Sequence, residues 1–319
     1  MIVVTGGAGF IGSNIVKGLN ERGIDDILIV DNLKNSEKHR NLNALYFNDY
    51  IDKDDFLHQL DMLKKDNIEA IFHEGACSDT LELDGKYMMH NNYEYTKILF
   101  EFSMANNIRF FYASSASVYG SGERGFTEDG EGEYPLNIYA FSKFLFDRYI
   151  GRVLDKIPSQ VVGLRYFNVY GPQENHKGRM ASVVFKFHNQ INMENKMTLF
   201  KGSENFLRDF VYVDDVVNVN LFFFDNPELK GIFNCGTSKA ESFLRIAEIM
   251  KGMYDNPAIE FVDFPKELTG KYQTFTQSDN RKLENAGYKD AFHTLEAGIG
   301  KYVEILKKSN GYYLFNRRK

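Results

Sequence analysis

Short runs of aliphatic and β-branched residues alternate with amphipathic stretches through the first half of the chain. The runs predict strands at residues 2–5, 27–31, 70–73, 110–114 and 160–165. Between the first two runs, Ile11, Ile15 and Leu19 recur every four residues, which predicts a helix with one apolar face. This alternation is typical of an α/β fold, in which right-handed crossovers join parallel strands and helices cover both faces of the sheet.

The second half of the chain has a less regular pattern. Helices are predicted near residues 180–191, 213–224 and 241–254. We therefore expect a doubly wound parallel sheet over residues 1–168, to which residues 208–236 return. Residues 169–319 are expected to form mainly a smaller, mixed α/β C-terminal lobe.

Composition and charge exclude several classes of protein. Of the 319 residues, 43% are hydrophobic and 26% are charged, so the chain can bury a large core without disulfides. The net charge of −6 disfavours nucleic acid and anionic membranes as partners. No apolar run reaches the roughly 20 residues that span a bilayer, and the chain starts on a strand, so we expect a cytoplasmic protein. The two cysteines, Cys77 and Cys235, lack metal-site spacing; we expect two small buried hydrophobes and no metal.

A glycine-rich turn follows the first predicted strand and opens the first predicted helix. Gly6 permits the tight turn, Gly9 lets backbone N–H groups approach a pyrophosphate, and Gly12 lets the helix pack close to the strand. Asp31 lies about 20 residues beyond the turn, where an acidic residue holds a ribose hydroxyl. The sequence therefore predicts a Rossmann-type dinucleotide site on residues 1–168.

The residues after the second strand bear on the choice between NAD and NADP. Asp31 alone favours NAD, because a carboxylate repels a 2′-phosphate. Asn32 and Lys38 follow closely, and a lysine at this place can pair with that phosphate. A solvated loop charge is an equally good interpretation of Lys38 from the sequence alone.

Three side chains near the end of the predicted strand at 110–114 form a candidate catalytic group. Ser115 ends that strand, and Tyr139 and Lys143 stand four residues apart on a predicted helix, so both can point into one cleft. A phenolate next to an ammonium and an oxidised nicotinamide can remove a hydroxyl proton, while the serine binds the same oxygen. The alternative is a surface tyrosine and lysine on an amphipathic helix.

In this order and spacing, the glycines, Ser115, Tyr139 and Lys143 resemble the extended short-chain dehydrogenase/reductase family over nearly the whole chain. The segment Arg-Asp-Phe-Val-Tyr-Val-Asp-Asp-Val at residues 208–216 is a further mark of that family. Within the family, the chain is similar to the ADP-L-glycero-D-manno-heptose 6-epimerases, which act in lipopolysaccharide inner-core synthesis. That similarity rests on residues 72–78, 86–89, 165–172, 176–178 and 202–206.

The resemblance implies one tightly bound NADP per subunit, with NAD as an alternative, and a homo-oligomer. The residues it implies for the dinucleotide, beside the three glycines, are Phe10, Ile11, Asp31, Asn32, Lys38, Lys53, Glu74, Gly75, Ala76, Cys77, Ser78, Asn91, Lys143, Val169 and Lys177. The residues it implies for the sugar nucleotide are Asn168, Arg179, Lys186, Phe200, Lys201, Gly202, Ser203, Arg208 and Tyr272.

Four of these residues need comment. The guanidinium of Arg208 matches a diphosphate, although a surface ion pair is its alternative role. The family implies that Lys177 is a second acid/base, opposite Tyr139; a phosphate-pairing or solvated lysine is the alternative. Arg179 and Lys186 depart from the family, some members of which carry serine and histidine there.

The resemblance implies an isomerase that inverts C6″ of ADP-heptose through a transient ketone. A UDP-sugar 4-epimerase shares the catalytic group and is the main alternative. A 4,6-dehydratase is disfavoured, because Ala116 and Ser117 supply no carboxylate beside Ser115. A non-catalytic, dinucleotide-binding regulator is disfavoured because Ser115, Tyr139 and Lys143 are all present.

Overall fold

A large parallel sheet lies at the centre of the computed structural model, which describes residues 1–63, 67–264 and 273–315. In chain order, the strands are β1 (Ile2–Thr5), β2 (Ile27–Asp31), β3 (Asp49–Asp52), β4 (Ala70–His73), β5 (Arg109–Ser115), β6 (Val161–Tyr166), β7 (Asn168–Tyr170), β8 (Lys196–Phe200), β9 (Leu207–Tyr212), β10 (Gly231–Cys235), β11 (Ala240–Ser242) and β12 (Ala258–Val262). Seven of them form the sheet in the order β10-β6-β5-β4-β1-β2-β3, and every pairing is parallel.

Helices connect these strands and cover both faces of the sheet. They are α1 (Phe10–Glu21), α2 (Lys53–Leu63), α3 (Gly85–Met88), α4 (Tyr95–Ala105), α5 (Ile138–Val153), α6 (Val183–Glu194), α7 (Val213–Asp225), α8 (Phe243–Met253), α9 (Arg281–Asn285) and α10 (Leu295–Ser309). A π-helical segment, Met89–Glu94, joins α3 to α4. The doubly wound α/β fold predicted from the sequence is therefore confirmed.

The five predicted strands all lie in the large sheet. Those at 2–5, 27–31 and 70–73 have the predicted bounds, and β5 and β6 differ from prediction by one residue at each end. The edge strand β3 was not predicted. Its sequence, Asp-Tyr-Ile-Asp, has no buried residue. It therefore lacks the apolar run by which the five predicted strands were recognised.

Two apolar layers hold the helices against the sheet. On one face, Val4 of β1 packs in a buried cluster with Ile15 of α1 and Val217 of α7. On the other, Phe110 of β5 packs with Phe146 of α5. Each fully buried side chain of this kind stabilises the fold by about 1.5–3 kcal/mol. The layers fix the carboxyl ends of β1, β2, β4 and β5 along one edge, where ligands bind in open parallel sheets.

A smaller mixed lobe packs beside that edge. Strand β9 pairs in parallel with β7 and antiparallel with β11, while β8 pairs in parallel with β12. Helices α6, α8 and α10 enclose a separate apolar cluster that includes Val184, Ile246 and Ile299. The predicted helices at 180–191 and 241–254 correspond to α6 and α8, and the one at 213–224 to α7.

A buried carboxylate joins three distant parts of this lobe. Asp209 on β9 has no exposed surface. It accepts hydrogen bonds from the backbone N–H groups of Thr237 and Ser238 at 2.7 and 2.9 Å. The backbone N–H and hydroxyl of Ser278 donate to it at 2.9 and 2.7 Å. Thr237 and Ser238 lie in the loop after β10, and Ser278 lies in a third segment. The hydrogen bonds of Asp209 therefore hold β9, and with it Arg208, to both of these segments.

None of the helices described is both long and apolar enough to cross a bilayer.

Candidate active site

The glycine turn after β1 is shaped for a close backbone approach. Gly6 has a φ of +67°, and a side chain there would place its Cβ 2.6 Å from the backbone nitrogen of Gly75. A Cβ at Gly12 would lie 2.2 Å from the carbonyl oxygen of Gly6. Gly9 caps α1 without a side-chain hydrogen bond, and the first turn carries no acidic residue. The helix N-terminus is therefore available to an anion such as a pyrophosphate.

Gly12→Ala is expected to remove dinucleotide binding and to destabilise the fold by about 1–3 kcal/mol, because backbone must move to relieve the overlap with Gly6. Gly151→Ala on α5 is the control, since its added Cβ meets nothing within 4 Å. Fluorescence titration with NADPH and thermal unfolding measure the two effects. Wild-type binding by Gly12→Ala would show that the close approach is not needed.

One cavity of about 560 Å³ lies over the glycine turn and the carboxyl ends of the strands. All the residues predicted for the dinucleotide line it: Gly6, Gly9, Phe10, Ile11, Gly12, Asp31, Asn32, Lys38, Lys53, Glu74, Gly75, Ala76, Cys77, Ser78, Asn91, Lys143, Val169 and Lys177. Ser115, Tyr139 and Arg179 line it as well. The fold thus brings the predicted dinucleotide site and the predicted catalytic group together.

Asp31 is already engaged by its neighbours. Its carboxylate accepts hydrogen bonds from the backbone N–H groups of Ala8 and Asn32 at 2.9 and 2.7 Å. Lys38 binds the same carboxylate at 2.7 Å and the carbonyl of Asn32 at 3.1 Å. The side chain of Lys38 is only 18% exposed, so the alternative of a solvated loop charge is wrong. The ion pair offsets the negative charge at the place where the ribose of a dinucleotide lies in this fold.

The catalytic group occupies the end of β5 and the first turns of α5. Asn137 caps α5 by accepting a hydrogen bond from Ala140 at 2.8 Å, which starts the helix so that Tyr139 and Lys143 both face the cavity. The ammonium of Lys143 donates to the carbonyl of Ala113 at 2.8 Å. The surface-pair alternative is therefore wrong.

Burial shifts both titrations of this pair. The pKa of Tyr139 is raised by burial, and a hydrogen bond with Ser115 opposes the rise. The pKa of Lys143 is lowered to about 8, because burial disfavours the ammonium more than Glu74 and Asp147 stabilise it. These shifts move the two pKa values apart, so the phenolate of Tyr139 needs added positive charge nearby to form.

A buried charge network supports the strand that carries Ser115. Asp147 on α5 accepts hydrogen bonds from the hydroxyls of Tyr112 and Ser114 at 3.0 and 2.8 Å and from Nε of Arg165 at 2.8 Å. Arg165 also binds Glu133. The network clamps β5, β6 and α5 together directly beneath the catalytic residues.

Glu74 supplies an ionisable group at the cavity floor. The hydroxyl of Tyr166 donates to its Oε1 at 3.0 Å, and Asn220 donates to that hydroxyl at 2.9 Å. Burial raises the pKa of Glu74 to about 7, although Tyr166 and Lys143 favour its charged form. Its Oε2 is buried and has no hydrogen-bond partner among the described residues.

Lys177 also lines the cavity, in the loop after β7. Its ammonium is 4.9 Å from the ring centre of Phe10, at the start of α1. Asn35 and Asn41 donate to the carbonyls of His176 and Gln173 at 3.1 and 3.0 Å, which ties this loop to the loop after β2. Lys177 is half-buried, and burial lowers the pKa of its ammonium.

The residues predicted for the sugar nucleotide are more dispersed. Arg179 is at the cavity rim, where it pairs with Asp79. The others, apart from one, lie outside the cavity lining: Asn168, Lys186, Phe200, Lys201, Gly202, Ser203 and Arg208. Arg208 is 5% exposed, with its guanidinium 5.9 Å from the ring centre of Phe243, so it is not a surface residue. Tyr272 lies outside the described residues.

The structure corrects one expectation and adds residues that the sequence did not indicate. Cys235 is buried as expected, but Cys77 is only half-buried and lines the cavity, because its backbone is held by Asn92 at the cavity wall. Tyr87 and Asp79 also line the cavity and were not predicted. Asp79 directly follows the predicted Ser78, and Tyr87 precedes Asn91 by one helical turn, which are the signals that could have found them.

The glycine cradle, the open helix N-terminus and the paired Asp31 fit a nicotinamide dinucleotide. The chain belongs to the NAD dependent epimerase/dehydratase family, whose model matches residues 2–236. The ADP-L-glycero-D-manno-heptose-6-epimerase of Brachyspira hyodysenteriae is 62% identical over 320 residues, which cover 98% of this chain and all of that protein.

Solved structures agree with this assignment. The ADP-L-glycero-D-manno-heptose-6-epimerase of Helicobacter pylori is 30% identical, with a TM-score of 0.82 over 96% of each chain. The UDP-glucose 4-epimerase of Thermus thermophilus, solved in complex with NAD, is 25% identical, with a TM-score of 0.81. The alignment covers 97% of this chain and 99% of that one. The description of the family names NAD, and the Thermus thermophilus relative was solved with NAD bound.

Proposed function

We propose that the protein is an isomerase that inverts C6″ of ADP-D-glycero-β-D-manno-heptose to give the L-glycero epimer, for lipopolysaccharide inner-core synthesis. The observation that carries the reaction type is the presence of two proton-transfer candidates, Tyr139 and Lys177, in the cavity that also holds the dinucleotide residues. The 62% identical relative supports the choice of ADP-heptose.

In the proposed reaction, Tyr139 removes the proton of the C6″ hydroxyl while Ser115 donates a hydrogen bond to the same oxygen. A nicotinamide dinucleotide held by the glycine turn and by the residues around Asp31 would supply reversible hydride acceptance at the substrate carbon. Lys143 keeps positive charge near the phenol, which favours phenolate. Lys177 serves the epimer whose hydroxyl points away from Tyr139. Each epimer then has its own acid/base group, so inversion needs no movement of Tyr139.

Arg208 is proposed to bind the diphosphate of the substrate. Its buried guanidinium lies on β9 of the smaller lobe, and the planar shape of a guanidinium matches phosphate oxygens. Arg179, Lys186 and residues 200–203 are proposed to contact the rest of the sugar nucleotide. The substrate would then enter between the large sheet and the smaller lobe, because ligand sites often lie at the interface between two parts of a fold.

NADP is the proposed cofactor, and the contact between Lys38 and Asp31 supports it. Lys38→Met should weaken NADP binding about 10- to 100-fold, because a hydrogen bond to a charged group contributes about 1.5–3 kcal/mol. Binding of NAD should not weaken, since Asp31 is then free for a ribose. Lys34→Met, an exposed lysine of the same loop, is the control. Equal losses for both cofactors would refute the role of Lys38.

The deciding experiment incubates purified protein, without added cofactor, with ADP-D-glycero-D-manno-heptose and follows the C6″ configuration by proton NMR. Conversion to the L-glycero epimer is expected, because the cofactor is regenerated in each turnover and is proposed to stay bound. No conversion after addition of NADP⁺ would refute the heptose substrate. The same preparation is then assayed with UDP-hexoses for 4-epimerisation, the activity of the structural relative from Thermus thermophilus.

A further inference from the structure

Another buried carboxylate, that of Glu174, belongs to the turn that carries Lys177. Glu174 has no exposed surface. Its carboxylate accepts hydrogen bonds from the backbone N–H and the hydroxyl of Ser182, both at 2.5 Å. Ser182 is also the cap of α6, where its hydroxyl accepts from the backbone N–H of Phe185 at 3.3 Å. The carboxylate is therefore held at the helix N-terminus, where a negative charge is stabilised by the helix dipole.

The same residue belongs to the turn that carries Lys177. The backbone N–H of Lys177 donates to the carbonyl of Glu174 at 3.0 Å. The backbone of Glu174 thus contacts Lys177, while its carboxylate contacts Ser182 at the start of α6. None of these contacts is used by the reaction proposed above, and a buried glutamate needs a compensating partner.

The charges that face Lys177 come from several elements. Glu174 favours its ammonium form, whereas Lys186 on α6 disfavours it. His176, the preceding residue, has its pKa lowered to about 4 by burial, Lys38 and Lys177, and is therefore neutral at physiological pH. Tyr302 on α10 faces the carboxylate of Glu174. Toward the cavity, Lys177 meets the face of the Phe10 ring. Among these described neighbours of Lys177, Glu174 is therefore the one with an acidic side chain.

We propose that Glu174 is a positioning residue, whose carboxylate fixes the Lys177 turn to the start of α6 and keeps the Lys177 amine charged. The inference rests on the proposed function only in giving that amine a role in proton transfer. Burial and Lys186 both lower the pKa of Lys177, and Glu174 opposes them. Without this carboxylate, the lysine would lose its proton at a lower pH and could not return one to substrate.

The test is the pKa of the Lys177 amine, measured by competitive acetylation across pH with mass spectrometry of the Lys177 peptide. Glu174→Gln preserves the shape and removes the charge; its amide oxygen can still accept from the backbone N–H of Ser182, while its NH₂ group donates to the Ser182 hydroxyl in place of the bond that the carboxylate accepts. The pKa of Lys177 is expected to fall, by up to about one pH unit, because the carboxylate that favours its ammonium form is lost. Glu174→Asp, which keeps the charge, should restore most of the difference.

A matched control uses an exposed glutamate–lysine pair. Lys97 lies 3.6 Å from Glu101 on α4, and Glu101→Gln should leave the pKa of Lys97 nearly unchanged, because solvent screens the pair. An unchanged Lys177 pKa in folded Glu174→Gln protein would overturn the proposal. If the pKa falls as expected but no sugar nucleotide is epimerised by the wild-type protein, the proposed function fails and the inference about Glu174 stands.

A reciprocal measurement covers the case in which Glu174→Gln does not fold. Burial raises the pKa of Glu174 above its ordinary value, and Lys177 lowers it. The folded state therefore loses stability as pH rises from the unfolded glutamate pKa through the folded one. In Lys177→Met the folded pKa of Glu174 should rise further, so the free energy of unfolding should fall over a wider pH range. The same pH dependence of the free energy of unfolding in Lys177→Met and wild type above the unfolded glutamate pKa would overturn the proposal.

Discussion

Replacing Tyr139 by Phe is expected to lower kcat for epimerisation about 10²- to 10⁴-fold, the range that a positioned acid/base contributes. The substitution removes only the phenolic oxygen that faces the cavity beside Ser115. The ring stays in place, so binding of NADPH and the thermal unfolding temperature should match those of the wild-type protein. Single-turnover kinetics with ADP-heptose measure the loss.

Tyr149→Phe on the same helix is the control for Tyr139→Phe. Tyr149 packs against Phe100 and its hydroxyl lies 3.4 Å from Glu101, outside the cavity lining. Its loss should leave kcat unchanged. Lys177→Met should also lower kcat strongly. A wild-type rate in both Tyr139→Phe and Lys177→Met would contradict the proposed reaction, in which these two residues transfer the protons.

Arg165→Met is expected to destabilise the protein by about 3–5 kcal/mol, the effect of breaking a buried ion pair by removing one partner. Arg165 is 2% exposed and binds both Asp147 and Glu133. Methionine fills much of the space but leaves two carboxylates buried without their cation. Urea unfolding followed by circular dichroism measures the change in the free energy of unfolding.

The matched control is Arg245→Met, which removes a guanidinium from an exposed ion pair with Glu296. Both of those side chains are nearly half exposed, so the loss should stay within about 1 kcal/mol. If Arg165→Met were no more destabilising than Arg245→Met, the buried network beneath Ser115 would not be a source of stability. Reduced epimerase activity in folded Arg165→Met would indicate that the network also holds Ser115 in place.

Features that depend on neighbouring residues could be predicted from the sequence. The turn of Gly6, Gly9 and Gly12 sits between a strand and a helix, and Tyr139 and Lys143 share a helical face, so short spacings define both. The five central strands were predicted for the same reason, since each is a buried apolar run. The resemblance then indicated Lys177, whose loop has no periodic pattern.

Features that depend on distant pairs could not be predicted. The pairing of β8 with β12 joins residues about 60 positions apart, and each strand is short and only partly buried. The contact between Asp79 and Arg179 spans 100 positions. No local pattern marks Glu174, because its contact with Ser182 depends on where α6 begins. Such contacts follow from the packing of whole elements, on which local patterns carry no information.

The carboxylate of Asp209 has a consequence for the order in which the parts of the protein are completed during synthesis. A ribosome releases the chain from its N-terminus, and domains fold as their residues emerge. The large sheet has all its strands once Cys235 has emerged. Asp209 finds donors in Thr237 and Ser238 just after that point, whereas its two hydrogen bonds from Ser278, 69 positions beyond Asp209, form only later. In a nascent chain the glycine turn and all the strands of the large sheet are therefore present before the last contacts that hold β9, and with it Arg208, can form.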